Sequence, residues 1–107
     1  MLRKAGAMAK WNILYWQEIP SMVEVRDRSG THKVQLSARF QELIDMAAMR
    51  RGLADGDAYL EAWHRQRQPE REGQGQELAE ALAAELEAEY PRIRSAVLTS
   101  LGRHVDE

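Results

Sequence analysis

The sequence feature that most constrains the fold is an apolar and aromatic run from Trp11 to Ile19, which stops at Pro20. Such a run is rich in β-formers and typical of a strand, and the proline suits the turn that ends it. A strand that buries only one face alternates apolar with polar residues, but here both sets of alternate positions are apolar. We therefore expect the second face of this strand to be covered, either by the chain itself or by a partner.

Two further strands and a helix are indicated by the spacing of apolar residues after the first strand. Residues 22–27 and 32–36 each alternate apolar with polar side chains, and the turn between them contains a glycine, so they predict a β-hairpin. Ser37 suits the N-cap of a helix, and apolar residues three and four apart over 40–47 give that helix one buried stripe. Gly52 marks its expected end.

The second half of the chain predicts a fourth strand and a second main helix. Residues 58–68 permit a helix, but we favour a strand because side chains alternate there and Pro69 follows. Residues 69–75 are expected to form a polar loop. Residues 76–90 consist almost wholly of Ala, Glu and Leu, which are strong helix formers, and Pro91 either halts this helix or begins a short final one.

The predicted order of elements is β-β-β-α-β-α, which favours an α+β domain of two layers. We expect a four-stranded, mainly antiparallel sheet with the two main helices on one face. At 107 residues the chain is one domain, predicted over 10–102, with a flexible N-terminal tail at 1–9 and a C-terminal tail at 103–107. The other face of the sheet is then open unless the protein associates.

Composition excludes several classes of function. There is no cysteine, so disulfides, thiolate metal sites and a cysteine nucleophile are all excluded. The three histidines stand alone, without the spacing of a metal site, and no serine lies in a nucleophile motif. We therefore expect neither a metal nor a cofactor, and the sequence identifies no catalytic residue.

Charge and hydropathy bear on partners and location. The chain has 15 basic and 17 acidic residues and a net charge of −2, which gives no general attraction to nucleic acid and makes nucleic-acid binding an unfavoured function. No apolar run approaches the roughly 20 residues of a membrane span. The N-terminal segment also lacks the apolar stretch of a secretion signal. We therefore expect a cytoplasmic protein without a membrane partner.

Four apolar side chains are candidates for a partner-binding patch. If alternate residues of the first strand face the helices, Leu14 and Trp16 lie on the open side. On the predicted fourth strand, Tyr59 and Trp63 would lie outward beside them. Trp and Tyr are favoured interface anchors, and an exposed apolar patch marks an interaction site. The alternative is that these rings fill the core or are covered by a terminal segment.

Three arginines, Arg65, Arg67 and Arg71, line the predicted fourth strand and its loop and could hold an anionic ligand. Nearby Glu70 and Glu72 weaken their field. Exposed aromatic rings beside arginines could also stack unpaired bases, so single-stranded RNA binding is a further alternative, although the acidic balance of the chain argues against it.

Several stretches of the chain are similar to a known family. They are the runs WNILYWQEIPS, RFQELIDMAAMRRGL, DAYLEAW and QELAEALAAELEAEY, with the charged EREG between the last two. In these runs the chain resembles a family of small bacterial virulence factors, which are related to the C-terminal domain of a larger protein, conserved virulence factor C. The resemblance covers about residues 9–90, and the positions that carry it are Trp16, Ile19, Pro20, Phe40, Asp45, Gly52, Asp57, Tyr59, Trp63, Arg71 and Gly73.

The resemblance implies little chemistry and brings no catalytic residues. It is loosely associated with folate- and corrinoid-dependent one-carbon transfer, which implies an accessory subunit with a ligand pocket near the first strand and the Arg71 loop. The residues themselves favour a small non-catalytic module that binds a partner protein, or a second copy of the chain, through the aromatic face of the sheet. That is the function we expect first.

Overall fold

The computed structural model describes residues 8–105 of the chain, which form a four-stranded antiparallel sheet and four helices. In chain order the elements are β1 (Met8–Trp16), β2 (Ile19–Asp27), β3 (Gly30–Gln35), α1 (Ala38–Arg50), α2 (Gly56–Glu61), β4 (Trp63–Glu72), α3 (Gly75–Ala88) and α4 (Tyr90–Val105). The strands are ordered β3-β2-β1-β4. The predicted α+β class and the antiparallel sheet are confirmed, with four helices rather than two main ones.

The region around the fourth strand differs from the sequence-based expectation. Residues 56–61 form α2, so the strand predicted from residue 58 is wrong at its start, and β4 runs through the predicted loop to Glu72. Pro69 is tolerated within β4 because β4 is an edge strand, where a missing N–H need not break a ladder. The alternation of side chains over 58–62 resembled a strand, but the chain closes one helical turn there before it enters the sheet.

The ends of the described chain also extend beyond the predicted domain limits. Met8 and Ala9, expected in the flexible tail, belong to β1, and Ala9 is buried. The short final helix allowed by Pro91 is α4, which continues to Val105. The remaining predicted tail residues, 1–7 and 106–107, lie outside the described residues.

One face of the sheet and α3 together form much of the core. Trp11 and Ile13 on β1 stand opposite Val25 and Val23 on β2, and all four are buried. α3 contacts β2 and β3, and its Leu82 is buried as well. Because burial of such a side chain contributes about 1.5–3 kcal/mol relative to exposure, this layer supplies much of the hydrophobic stabilisation.

Hydrogen bonds tie the start of α1 to α3 and the residue after its end to the turn between β1 and β2. At its start, the backbone N–H and the hydroxyl of Ser37 donate to the Glu87 carboxylate of α3, at 2.6 and 2.9 Å. Ser37 is the N-cap residue, as the sequence predicts, but its side chain makes no capping bond to α1. After the helix, the Arg51 guanidinium donates two hydrogen bonds to Glu18, at 2.9 and 2.7 Å, and these lower the pKa of the Glu18 carboxyl.

Asp27 closes the β2–β3 hairpin and attaches it to the start of α3. Its Oδ1 accepts hydrogen bonds from the backbone N–H and the hydroxyl of Ser29, at 2.9 and 2.6 Å. Its Oδ2 accepts from the backbone N–H of Gly75 at 2.6 Å. These hydrogen bonds, above all the one from the Ser29 hydroxyl, lower the pKa of Asp27 to about 2, so the carboxylate is charged at neutral pH.

Trp16, the last residue of β1, is fully buried. Its indole Nε1 donates to the carbonyl oxygen of Tyr59 in α2 at 3.0 Å, and the centroids of the two rings lie 5.7 Å apart. α2 therefore covers this end of the sheet, and the expectation that Trp16 would lie exposed on a bare face is wrong. The physical reason is that the segment expected to extend the sheet folds as a helix over it.

Candidate functional site

The candidate site is the face of the sheet opposite the layer of buried residues that packs against α3. The cross-strand register places alternate residues of all four strands on this face. We call it the open face and define it by Lys10, Asn12, Leu14, Met22, Glu24, Arg26, Lys33, Trp63, Arg65 and Arg67. All of these residues are exposed or half-buried except Glu24.

The centre of the open face is a compact charge cluster around Glu24. Glu24 is only 8% exposed, and its carboxylate accepts a hydrogen bond from Arg65 Nε at 3.1 Å. Lys33 Nζ lies 4.0 Å from its other carboxylate oxygen. A buried carboxylate requires such partners, because its own desolvation is unfavourable. Glu24 is thus paired with Lys33 of the adjacent β3 and with Arg65 of β4, which reaches it across β1.

One end of the open face is basic, and we define this basic end by Lys10, Asn12, Arg26 and Arg67. Lys10 on β1 is directly opposite Arg26 on β2, and Asn12 is directly opposite Arg67 on β4. These residues line a cavity of about 210 Å³. The open face therefore carries an excess of positive charge in a chain whose net charge is −2.

The other end of the open face is apolar. We define this apolar end by Leu14, Met22, Trp63 and the adjoining Tyr59 of α2, all of which are half-buried. The Tyr59 and Trp63 rings meet edge to face, with centroids 6.0 Å apart. Leu60, which follows Tyr59 in α2, is 64% exposed.

The structure brings three of the four predicted partner-binding residues to the surface. Leu14, Tyr59 and Trp63 are half-buried at the apolar end, and their role in binding stays a prediction. Trp16 lies beneath Tyr59 and is fully buried, so it can support the patch but does not form its surface. Tyr59 reaches the patch from α2 and not from a strand.

The three predicted anion-binding arginines are separated. Arg65 is paired with Glu24 at the centre of the open face, whereas Arg67 lies at the basic end. Arg71 is paired with Glu85 of α3 at 2.7 Å, which raises the pKa of the Arg71 guanidinium and lowers that of the Glu85 carboxyl. Anion binding by any of the three stays a prediction, and the geometry favours Arg67.

Sequence reasoning missed Lys10 and Asn12 as parts of a site. Lys10 precedes the strand predicted from residue 11, and Asn12 is an isolated polar residue in an apolar run. The signal that could have found them is the antiparallel register, which sets Lys10 against Arg26. That register depends on a turn at Gln17, which has a positive φ of 51°, and on a bulge near Leu14.

A second cavity, of about 270 Å³, lies between the sheet and the helices. It is lined by residues that include Tyr15, Pro20, Leu86 and Ile93. Tyr15 stacks on His64 with ring centroids 5.7 Å apart, and burial raises the pKa of the Tyr15 hydroxyl. Its two charged lining residues, Glu18 and Arg92, are already paired with Arg51 and Glu89, so this cavity has fewer binding determinants than the open face.

Two negative findings apply to the described part of the chain. Within residues 8–105, no group of three or more His, Asp or Glu side chains is arranged to hold a metal ion. No helix in the same range is long and apolar enough to cross a membrane.

Comparison with known proteins gives one match. The sequence model of a family described as Virulence factor matches residues 14–99, from the middle of β1 into α4. No curated protein and no solved structure matches the chain significantly.

Proposed function

The chain belongs to the virulence factor family, and we propose that it is a non-catalytic module that docks on an acidic surface of a partner protein through the open face. The observation that carries the proposal is the composition of this face. Half-buried apolar side chains form one end, and the other end carries cations that form no ion pair with any described residue. Interfaces commonly combine an apolar anchor region with polar residues around it.

The apolar end supplies the anchor in this proposal. Trp63 and Tyr59 are held edge to face, and the fully buried Trp16 fixes Tyr59 from below through the hydrogen bond to its carbonyl oxygen. Rings held in this way lose little conformational entropy on binding, which favours affinity. Leu14 extends the apolar surface toward the centre of the open face.

The basic end would orient the bound partner. Its charge also favours a different protein, and not a second copy of the chain, as that partner. A twofold dimer places the same patch of both subunits together. In such a dimer the basic end of one copy would meet either the basic end or the apolar end of the other. The first arrangement brings like charges together, and the second removes cations from water against apolar side chains, so both are unfavourable. An acidic surface would instead complement Lys10, Arg26 and Arg67.

The experiment begins with identification of the partner by site-specific crosslinking in the source cell. A photoreactive residue replaces Lys33 on the open face in one variant and Glu80 on α3 in the control; both positions are exposed. We expect a protein adduct from position 33 that position 80 does not give. The adduct partner is then purified, and its affinity for the chain is measured directly.

Charge reversal provides the decisive measurement. The double variant R26E/R67E should weaken binding to the purified partner at least about tenfold, and high salt should weaken wild-type binding. The double variant R50E/R94E changes the net charge equally, on exposed positions of α1 and α4, and should leave affinity within about twofold. Circular dichroism checks the fold of both. Equal losses in both variants, or a light-scattering mass of a dimer that R26E/R67E dissociates, would contradict the proposal.

A further inference from the structure

We propose that the basic end of the open face binds a phosphate group, either as inorganic phosphate or as a phosphate monoester. This site goes beyond the docking role and does not depend on it. A free phosphorylated molecule carries the same group as a phosphorylated residue of a partner protein, so either could occupy the site. The family match begins at Leu14, so the two β1 residues of the site, Lys10 and Asn12, precede the matched region. The argument therefore rests on this chain alone.

The first observation is the placement of three cations around one cavity. Lys10 and Arg26 are directly opposite on adjacent antiparallel strands, an arrangement that is unfavourable for like charges. Arg67 approaches from β4, on the other side of β1. Among the residues that the structure describes, none of these three side chains forms an ion pair. An oxyanion in the cavity of about 210 Å³ would remove the repulsion.

The second observation concerns Asn12, which lines the same cavity. Its Oδ1 atom is buried, and no group of the described chain donates a hydrogen bond to it. Because Oδ1 has no accessible surface, only the amide N–H groups of this side chain could contact a ligand, and they are donors. A phosphate oxygen would accept from such a donor.

The neighbouring carboxylates leave the site with an excess of positive charge. Glu24 is directly opposite Asn12, but its oxygens are already bound by Arg65 and approached by Lys33. Glu72 is directly opposite Met8, two residues before Lys10 on β1, and offsets part of the charge at that end. Lys10, Arg26 and Arg67 still outnumber it, and together they favour an oxyanion.

The test follows binding of inorganic phosphate to the full chain by nuclear magnetic resonance at constant ionic strength. We expect saturable shifts of the Asn12 side-chain amide and of the Arg26 and Arg67 Nε–H signals, with a Kd of about 1 mM or tighter. No saturable shift up to about 20 mM phosphate would overturn the inference.

Single variants separate binding from folding. R26Q and R67Q should each weaken phosphate binding at least about tenfold, since a hydrogen bond to a charged group has that order of strength. R50Q, at an exposed position of α1, is the matched control and should bind as wild type. Unliganded R26Q should melt at the same temperature as wild type or higher, because the repulsion from Lys10 is gone. Wild-type affinity in both R26Q and R67Q would refute the site.

Two further ligands distinguish the source of the phosphate. β-Glycerol phosphate represents a small monoester, and a phosphoserine peptide represents a modified protein. Tighter binding of the peptide by about tenfold supports the site and assigns it to a protein partner, whereas equal binding supports it and assigns it to a small molecule. Failure of both while crosslinking to a partner succeeds would remove this site and leave the docking function standing.

Discussion

Replacement of Trp16 by alanine should be among the most destabilising single changes in this protein. Trp16 is 0% exposed and heads the largest fully buried side chains. A tryptophan buries roughly 150–250 Å². At about 25 cal/mol per Å², loss of some 200 Å² costs about 5 kcal/mol. The lost hydrogen bond to the Tyr59 carbonyl adds about 1 kcal/mol. Measured tryptophan-to-alanine changes in protein cores cost about 3–5 kcal/mol, so we expect a loss of about 4–5 kcal/mol.

The measurement is the free energy of unfolding from urea titrations followed by far-ultraviolet circular dichroism. Because domains of this size are stable by only about 5–15 kcal/mol, W16A should lose a large share of its stability, and its urea midpoint should fall in proportion. W16F keeps a ring and loses the hydrogen bond, so it should remain folded with a loss of about 1–2 kcal/mol.

The control is L60A, since Leu60 is 64% exposed on the helix that covers Trp16. It should change the unfolding free energy by less than about 0.5 kcal/mol. A loss below about 1 kcal/mol for W16A, with an unchanged urea slope, would show that the ring is not sealed under α2. The aromatic face would then be bare, as the sequence alone suggested.

Two further predictions concern positions outside the open face. D27N removes a charged acceptor of the Ser29 hydroxyl and of the first N–H of α3, and should lower the melting temperature at neutral pH. The Asp27 pKa of about 2 lies below the value of this group in the unfolded chain. The stabilisation that its charged form gives the fold is therefore complete above about pH 5 and shrinks as the pH falls toward 2. A difference in melting temperature between D27N and wild type that grows with acid would contradict this assignment. G73A should lower the free energy of unfolding by about 1 kcal/mol or more in a urea titration, because Gly73 has a φ of +130° and a Cβ there would lie 3.1 Å from Leu78. The control is G102A, in α4 with no such contact, which should be neutral or stabilising. Equal effects of the two substitutions would refute the reasoning.

Local patterns in the sequence were sufficient for much of the fold. The hairpin of β2 and β3 follows from alternation and a glycine turn, and α1 and α3 follow from apolar residues three and four apart. Ser37 precedes α1 as its N-cap, and Gly52 follows the helix with a positive φ of 72°. These features depend on residues close in the chain, so a single sequence contains them.

The composition of the site could be predicted only in part. Leu14, Tyr59, Trp63 and Arg67 were identified as candidates by residue type, and the structure places all four on or beside one face. Lys10 and Asn12 could not be found in this way, because their importance arises from what stands across from them on other strands. Cross-strand neighbours depend on register, and one shifted residue would move every side chain to the opposite face.

The sequence by itself determined an α+β domain whose first strand is apolar on both faces, since side-chain periodicity is a local property. Only the tertiary structure decided what covers that second face. Residues 56–61 close a helical turn over Trp16, so the chain buries this tryptophan itself, and the uncovered part of the sheet has a basic end as well as the aromatic one that the sequence suggested. The choice between strand and helix for that short segment depended on its contact with Trp16, which is 43 residues away in the chain and therefore invisible to any local pattern.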